Sequence, residues 1–340
     1  MTPDYARSAV FQGSRTIKLV DKPVQMPGPG QLLLKVGANA LCGSERGQFL
    51  NGAPITPGHE AAGTVVAAGT DTVTPVGAQG VVFLMVYCGQ CRNCRQGYTN
   101  QCLAKRGDMG FNRDGGYSNY ELVDESTFFA VPDDVSATEA TLLLDIMGTG
   151  GHAISRAQLV HGDISSVLVG GAGPIGLGVL AMSKIMLGAE VPVYITDVVP
   201  FRLALAARLG GLPIDVSRGS LALGLASHGV NKVDLAIDTS GRGAARQAAL
   251  DALDKRGALV CVGHGEGLSL DVSRSLIAPE HAILGSEYFC FNELPANLVR
   301  LREHRAVLNQ IITHRVPLAD IQTAFELFFA GDSGKVVIEP

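Results

Sequence analysis

The chain has 340 residues, 46% hydrophobic and 17% charged, which excludes a disordered or fibrous protein and leaves room for about two domains with sizeable cores. Its formal net charge is −5 and no Lys/Arg-rich run occurs, which argues against nucleic acid or an acidic membrane surface as a partner. Residues 1–30 lack the apolar core of a signal peptide, and no apolar run approaches the roughly 20 residues that span a bilayer, so a cytoplasmic address is the default expectation.

From Arg7 to about Asp134, short β-type runs alternate with Gly/Pro turns: Ser8–Phe11, Gln31–Ala38, Ala61–Ala67, Gly80–Val86 and Tyr120–Val123. This texture predicts an irregular, largely antiparallel β unit. Two residues in it are unremarkable singly, as a core cysteine and a turn histidine, and gain meaning only together: Cys42 in Leu41-Cys42-Gly43-Ser44-Glu45, and His59 in Pro57-Gly58-His59-Glu60. With Asp145, in Leu144-Asp145-Ile146-Met147, they offer a thiolate, an imidazole and a carboxylate. Three protein ligands with a fourth position open is the arrangement of catalytic zinc, where the metal lowers the pKa of a bound alcohol.

Between these lies a denser cluster. Cys88, Cys91, Cys94 and Cys102 follow C-x2-C-x2-C-x7-C, and they account for four of the seven cysteines. In a chain of this length that spacing predicts a structural zinc knuckle: four thiolates close the tetrahedron and leave no position for a substrate.

Beyond Asp163 the texture changes to strand, glycine turn and helix, repeated. Ser166–Val169 is an apolar strand, Ile175–Leu187 a helix, Val191–Thr196 a strand and Pro200–Leu209 a helix. Further strands are predicted at Val233–Ile237, Ala258–Val262 and Ile283–Tyr288, which together describe a parallel, doubly wound sheet. The first strand runs into Gly171-Ala172-Gly173-Pro174-Ile175-Gly176, a G-x-G-x-x-G turn opening a helix. Gly171 permits the tight turn, Gly173 lets the backbone approach a pyrophosphate, and Gly176 allows close helix–sheet packing. Asp197 ends the next strand, where a carboxylate accepts the adenine-ribose hydroxyls and repels a 2′-phosphate, so NAD is expected over NADP. Arg202 is the counter-reading, as a phosphate ligand. Gly263-His264 follows the Leu259–Val262 strand and is expected near the nicotinamide, and Lys335 is a candidate phosphate contact. His152 and His161 are read as structural. Lys335–Glu339 reads as a strand, and the tail is expected to fold back onto the first unit.

Cys42-Gly43-Ser44, Gly58-His59-Glu60, the cysteine knuckle, Asp114-Gly115-Gly116-Tyr117 and Gly334-Lys335-Val336-Val337-Ile338 together resemble the zinc-containing medium-chain alcohol dehydrogenases, over essentially the whole chain. The resemblance implies a Rossmann domain beside an irregular, β-rich, GroES-like catalytic domain, expected at residues 149–294 and at 1–148 with 295–340. It implies catalytic zinc on Cys42 and His59, with Asp145 as third ligand because Leu144–His152 is similar to the bacterial secondary-alcohol branch. Glu60 becomes an exchangeable ligand, and Ser44 the hydroxyl that passes the substrate's proton to the nicotinamide ribose. Glu45 stands where the family usually has Asp as partner of the zinc-bound His, and Gly47 where many relatives have a relay His.

The expected function is hydride transfer between NAD and a small secondary alcohol or ketone, with two zinc ions per chain. Relatives are dimers or tetramers, so a homo-oligomer is expected. Phe83, Leu84 and Ile146 are candidate pocket walls, and the polar Met109–Asp114 stretch keeps a polyol, sugar or cyclitol substrate open. A catalytically silent NAD-binding relative is the remaining alternative; it would need none of Cys42, His59, Asp145 and Ser44.

Overall fold

The computed structural model describes residues 2–340; Met1, part of the first expected domain, lies outside them. The strands are β1 (Tyr5–Gly13), β2 (Thr16–Pro23), β3 (Gln31–Ala40), β4 (Ala61–Ala68), β5 (Gln79–Val82), β6 (Tyr120–Asp124) and β7 (Phe128–Ala130), then β8 (Val167–Gly170), β9 (Val193–Asp197), β10 (Leu212–Asp215), β11 (Val233–Asp238), β12 (Leu253–Cys261), β13 (Ala282–Gly285), β14 (Ile312–Pro317) and β15 (Lys335–Glu339).

The parallel sheet has the order β10-β9-β8-β11-β12-β13, so the chain reverses direction of growth between β8 and β11. Such a switch point opens a crevice at the carboxyl ends of the strands. All four residues of β8 are buried, as a central parallel strand covered on both faces requires. The helix that follows, Pro174–Met186, starts with proline at its first position, where the missing N–H costs nothing. β10 was not anticipated. It is a four-residue edge strand containing Pro213, which an edge tolerates and which weakens the pattern in sequence.

The second sheet runs β14-β15-β3-β4-β5-β7, with β6 also paired to β3. Only β14 and β15 are parallel; the other pairs are antiparallel. β15 pairs with β3 through Val337↔Ala40 and Ile338↔Asn39, which lays the tail against the N-terminal strands. β1 and β2 form a separate hairpin.

Two predicted strands end early. The Gly80–Val86 run leaves the ladder after Val82, because Phe83 turns into an aromatic cluster with Tyr87, Tyr288, Phe289 and Phe291. The Ile283–Tyr288 run leaves it after Gly285, and Tyr288 takes a left-handed backbone with φ 47°. One apolar cluster joins the two sheets through Leu142, Leu143, Leu144, Ile146 and Met147, which are fully buried. That segment carries Asp145 and so fixes a candidate metal donor between the two halves.

Candidate active site

The strand register brings four distant residues together. The Leu41 amide donates to Val336 O (2.9 Å) and the Ala40 amide to Glu60 O (3.2 Å), so Cys42, Glu60 and Lys335 converge at one end of β3. Gly58, just before His59, has φ 105°, and a Cβ there would lie 2.7 Å from both Asn39 Nδ2 and Tyr117 N. Only glycine fits that approach. Asp145 opens a π-helical turn, Asp145–Thr149, a widened turn of a kind that recurs at functional sites. The turn rests on helix Pro174–Met186 at Gly178, where any Cβ would overlap the Ile146 backbone.

The ligand atoms of Cys42, His59, Glu60 and Asp145 all lie within 4.8 Å of one another, and all four residues are buried. His59 Nε2 is 3.5 Å from Asp145 Oδ2, and its Nδ1 is 3.1 Å from Glu45 Oε1. The second Glu45 oxygen accepts the Tyr117 hydroxyl (2.6 Å) and the Cys42 amide (3.2 Å). The longer Glu45 side chain thus reaches His59, and it fixes which ring nitrogen faces the donors.

The electrostatics ask for a cation. Burial and the Asp145 charge push the Cys42 thiol up. Burial and the same charge push Glu60 well above the usual carboxylate range, despite its ion pair with Lys335. Burial opposes the charged form of Asp145, but the hydrogen bond and charge of His59 outweigh it and hold the carboxyl down. His59 is likewise held well above the imidazole range: burial works against it, and bonds to Asp145, Cys42 and Glu45 prevail. Glu60 Oε2 is buried with no hydrogen-bond partner. Donors around a zinc ion sit about 3.3–3.8 Å apart, so this set fits the metal. With Lys335 beside it, the three anions and a dication sum to neutrality.

Lys335 corrects the expectation of a phosphate contact. It has no exposed surface and is paired with Glu60, because β15 enters the sheet beside β3 and carries its first residue into the metal cluster.

Cys88, Cys91, Cys94 and Cys102 also converge within 4.8 Å, in a half-buried lobe. The Cys88–Cys94 and Cys91–Cys102 sulfurs are 4.0 Å apart, close to the roughly 3.8 Å edge of a Zn–thiolate tetrahedron. Backbone amides of Cys94 and Leu103 lower the Cys91 thiol to about 6. Burial and the other thiols push Cys94 up to about 12, so full ionisation of the four needs a metal.

At the sheet switch point Gly171 has φ 95°, and a Cβ on Gly176 would overlap the Gly171 carbonyl. A Cβ on Gly173 would meet only Arg202 Nη1, at 3.9 Å, so the backbone there is open to a ligand. Pro174 and Ile175 start the helix, whose free N–H groups and dipole favour a pyrophosphate. Asp197 closes β9. Its Oδ2 accepts the Ala172 amide of the glycine turn (2.8 Å), and its Oδ1 accepts Val198 and Val199 (2.7 and 2.9 Å). Arg202 Nε is buried without a partner.

A cleft of about 720 Å³ joins the two centres. Cys42, His59 and Asp145 line it on one side, Ile175, Gly263 and His264 on the other, with Ser44 exposed to it from the turn after Cys42. Leu84 is a wall, whereas Phe83 and Ile146 are buried behind the surface; alternation along each segment turns them inward. Sequence reasoning missed Thr149, Ser286 and Tyr288, which line the same cleft with buried hydroxyls whose protons no protein acceptor takes. The only signal was their position, after a metal donor and at the end of a parallel strand.

The family described as alcohol dehydrogenase GroES-like domain matches residues 28–133, and the one described as zinc-binding dehydrogenase matches residues 174–303. An L-threonine 3-dehydrogenase of Shewanella sp. (strain W3-18-1) is 31% identical over 346 aligned residues, covering 96% of this chain and 97% of the relative. Among solved structures, an alcohol dehydrogenase from Escherichia coli CFT073, complexed with NADH, shares the fold with a TM-score of 0.89 at 24% identity, covering 99% of this chain and 100% of that one. An acetophenone reductase from Geotrichum candidum, in complex with NAD, gives 0.84 at 25% identity, covering 100% and 98%.

Proposed function

The chain belongs to the zinc-containing medium-chain alcohol dehydrogenase family, and from that premise we propose that it oxidises a small secondary alcohol, or reduces the ketone, with NAD as hydride carrier. One observation carries the reading: the Cys42/His59/Asp145 donor set lines one cleft together with Ile175 of the glycine turn and Gly263 and His264 at the end of β12. When bound, zinc supplies Lewis acidity that lowers the alcohol's pKa, and NAD supplies the hydride acceptor.

The chain's own residues do the rest. Cys42, His59 and Asp145 hold the metal and leave one position open to the cleft, while Glu60, tied to Lys335, is the exchangeable fourth donor. Glu45 and Tyr117 orient His59. Ser44 takes the hydroxyl proton as the carbon gives up its hydride, and passes it to the ribose and solvent; Gly47, exposed beside it, adds no relay. Gly171, Gly173, Pro174, Ile175 and Gly176 receive the pyrophosphate, Asp197 the adenine ribose, Arg202 a phosphate edge, and Gly263 with His264 the nicotinamide end. The four knuckle cysteines hold a second, structural zinc. Residues 1–148 with 295–340 act as the catalytic unit and 149–294 as the cofactor unit. The reading includes a cytoplasmic homodimer or homotetramer; no helix among the described residues is long and apolar enough to cross a membrane.

The test is NAD⁺ reduction by purified protein across secondary alcohols, with metal analysis. Turnover that a chelator abolishes, and two zinc equivalents of which Asp145→Ala removes one, is the expected result. A protein that reduces neither NAD⁺ nor NADP⁺ with any alcohol sinks the reading.

A further inference from the structure

Tyr288 is a bulky, β-region-favouring residue held in a left-handed backbone (φ 47°), three residues beyond the carboxyl end of β13. L side chains seldom adopt that conformation, and where the surroundings impose it the residue is being aimed. The surroundings are explicit. The ring is wedged against Phe289 (4.3 Å between centroids) and Phe83 (5.2 Å), which leaves it no freedom to swing. The residue is 7% exposed and lines the cleft that holds the metal donors. Its hydroxyl is buried, and no acceptor in the protein takes its proton.

The hydroxyl also feels the metal donors directly. Burial raises its pKa, the charges of Asp145, Glu60 and Cys42 add to that rise, and a hydrogen bond from the Leu84 amide opposes it. It therefore stays a protonated phenol, a donor with nothing to donate to. Ser286, two residues earlier on the same segment, likewise presents a buried, unpartnered hydroxyl to the cleft. A buried polar group without a partner calls for an explanation, and one that lines a substrate cleft can be completed by a ligand. The cleft mixes apolar walls (Leu84, Met85 and Phe111) with polar ones (Lys105, Asp108 and Glu287), but none of them accepts the Tyr288 proton, so a monofunctional alcohol would leave this donor unsatisfied.

We propose that Tyr288 is a specificity-determining residue whose hydroxyl hydrogen-bonds a second hydroxyl on the carbon next to the reacting one, and that the substrate is accordingly a vicinal diol or longer polyol. This rests on the alcohol dehydrogenase reading given above. The phenol donates to the oxygen that is not oxidised; Ser286 adds a second polar contact on the same wall. Specificity of this kind discriminates strongly, because an analogue lacking the hydroxyl leaves the buried donor bare.

The probes are the stereoisomers of 2,3-butanediol and, as the matched monoalcohol, 2-butanol, with NAD⁺. In the wild type kcat/KM is expected to favour the preferred diol over 2-butanol by at least about tenfold. In Tyr288→Phe, which removes only the oxygen, that ratio should fall by about tenfold or more while the KM for NAD⁺ does not move. A wild-type preference for 2-butanol, or a ratio that changes less than about threefold in the variant, overturns the proposal. The wild-type measurement decides the question even if the variant does not fold. If the wild type turns over neither probe but does turn over another secondary alcohol, or turns over both without the preference, only Tyr288's role falls; if no alcohol is turned over with either cofactor, the dehydrogenase reading itself falls.

Discussion

Lys335 and Glu60 form an ion pair with no exposed surface on either side chain, inside the cluster that also holds Cys42, His59 and Asp145. A buried pair is tolerated only while both members are present, because removing one leaves a bare charge. Burial alone would strip the proton from Lys335, but the charges of Glu60, Asp145 and Cys42 hold its pKa above the ordinary value.

Lys335→Met should therefore cost about 3–5 kcal/mol in denaturant unfolding of the metal-free protein. Lys335→Met combined with Glu60→Gln should lose less than the sum of the two single changes. A strictly additive double-mutant cycle would show that the pair carries no coupling.

Gly178 lies under the Ile146 carbonyl, on the helix that begins at the glycine turn. Gly178→Ala would push away the turn that carries Asp145. Displacement of a reacting geometry by about 1 Å costs on the order of 100-fold. The expected result is a loss of kcat/KM of about 10–100-fold with weaker retention of the catalytic zinc under chelator challenge and an unchanged far-UV spectrum. Full activity with normal metal content would separate the helix from the metal donor.

Asp197 holds the Ala172 amide and two amides of its own turn, which sets its carboxylate where the adenine ribose is expected. Asp197→Ser should lower the ratio of kcat/KM for NAD over NADP by at least about tenfold, through loss of the ribose bond and of repulsion toward a 2′-phosphate. Arg202, whose Nη1 stands by Gly173, is then the cation that meets that phosphate. An unchanged ratio would move the cofactor choice to another residue.

Glu121 faces inward from β6 with both carboxylate oxygens buried and unpartnered, and burial, with the Asp114 charge, raises its pKa well above 4.5. The unfolded chain releases this proton near pH 4.5, while the folded protein keeps it to higher pH. Stability is thus lost as pH rises from that point toward the folded pKa. Glu121→Gln should be more stable than the wild type at neutral pH, by about 1–3 kcal/mol, with the advantage vanishing near pH 4. Thermal melts of both proteins across that range check it; an advantage that grows toward acid pH has the wrong sign for this cause.

What the sequence revealed and what it hid divide along contact distance. The cysteine knuckle, the glycine turn and the strand–helix alternation after Asp163 were legible because each is written in neighbouring residues. Cys42, His59 and Asp145 were legible as chemistry, and their convergence came from resemblance and not from spacing. Tyr117 orients Glu45 across 72 positions, and Lys335 meets Glu60 across 275, so neither role leaves any local trace. Tyr288 was hidden for another reason: the expected strand ran through 288, and the backbone leaves the ladder after Gly285.

The Glu60–Lys335 contact also orders events in time. The four knuckle cysteines converge within fifteen residues, a short loop that closes at low entropic cost. The other centre stays one cation short until β15 inserts beside β3, the most non-local pairing that the β-rich sheet makes. Until then Glu60 sits by water, not by lysine. The pairing that completes this side of the sheet is thus also the one that delivers the last charge to the buried cluster.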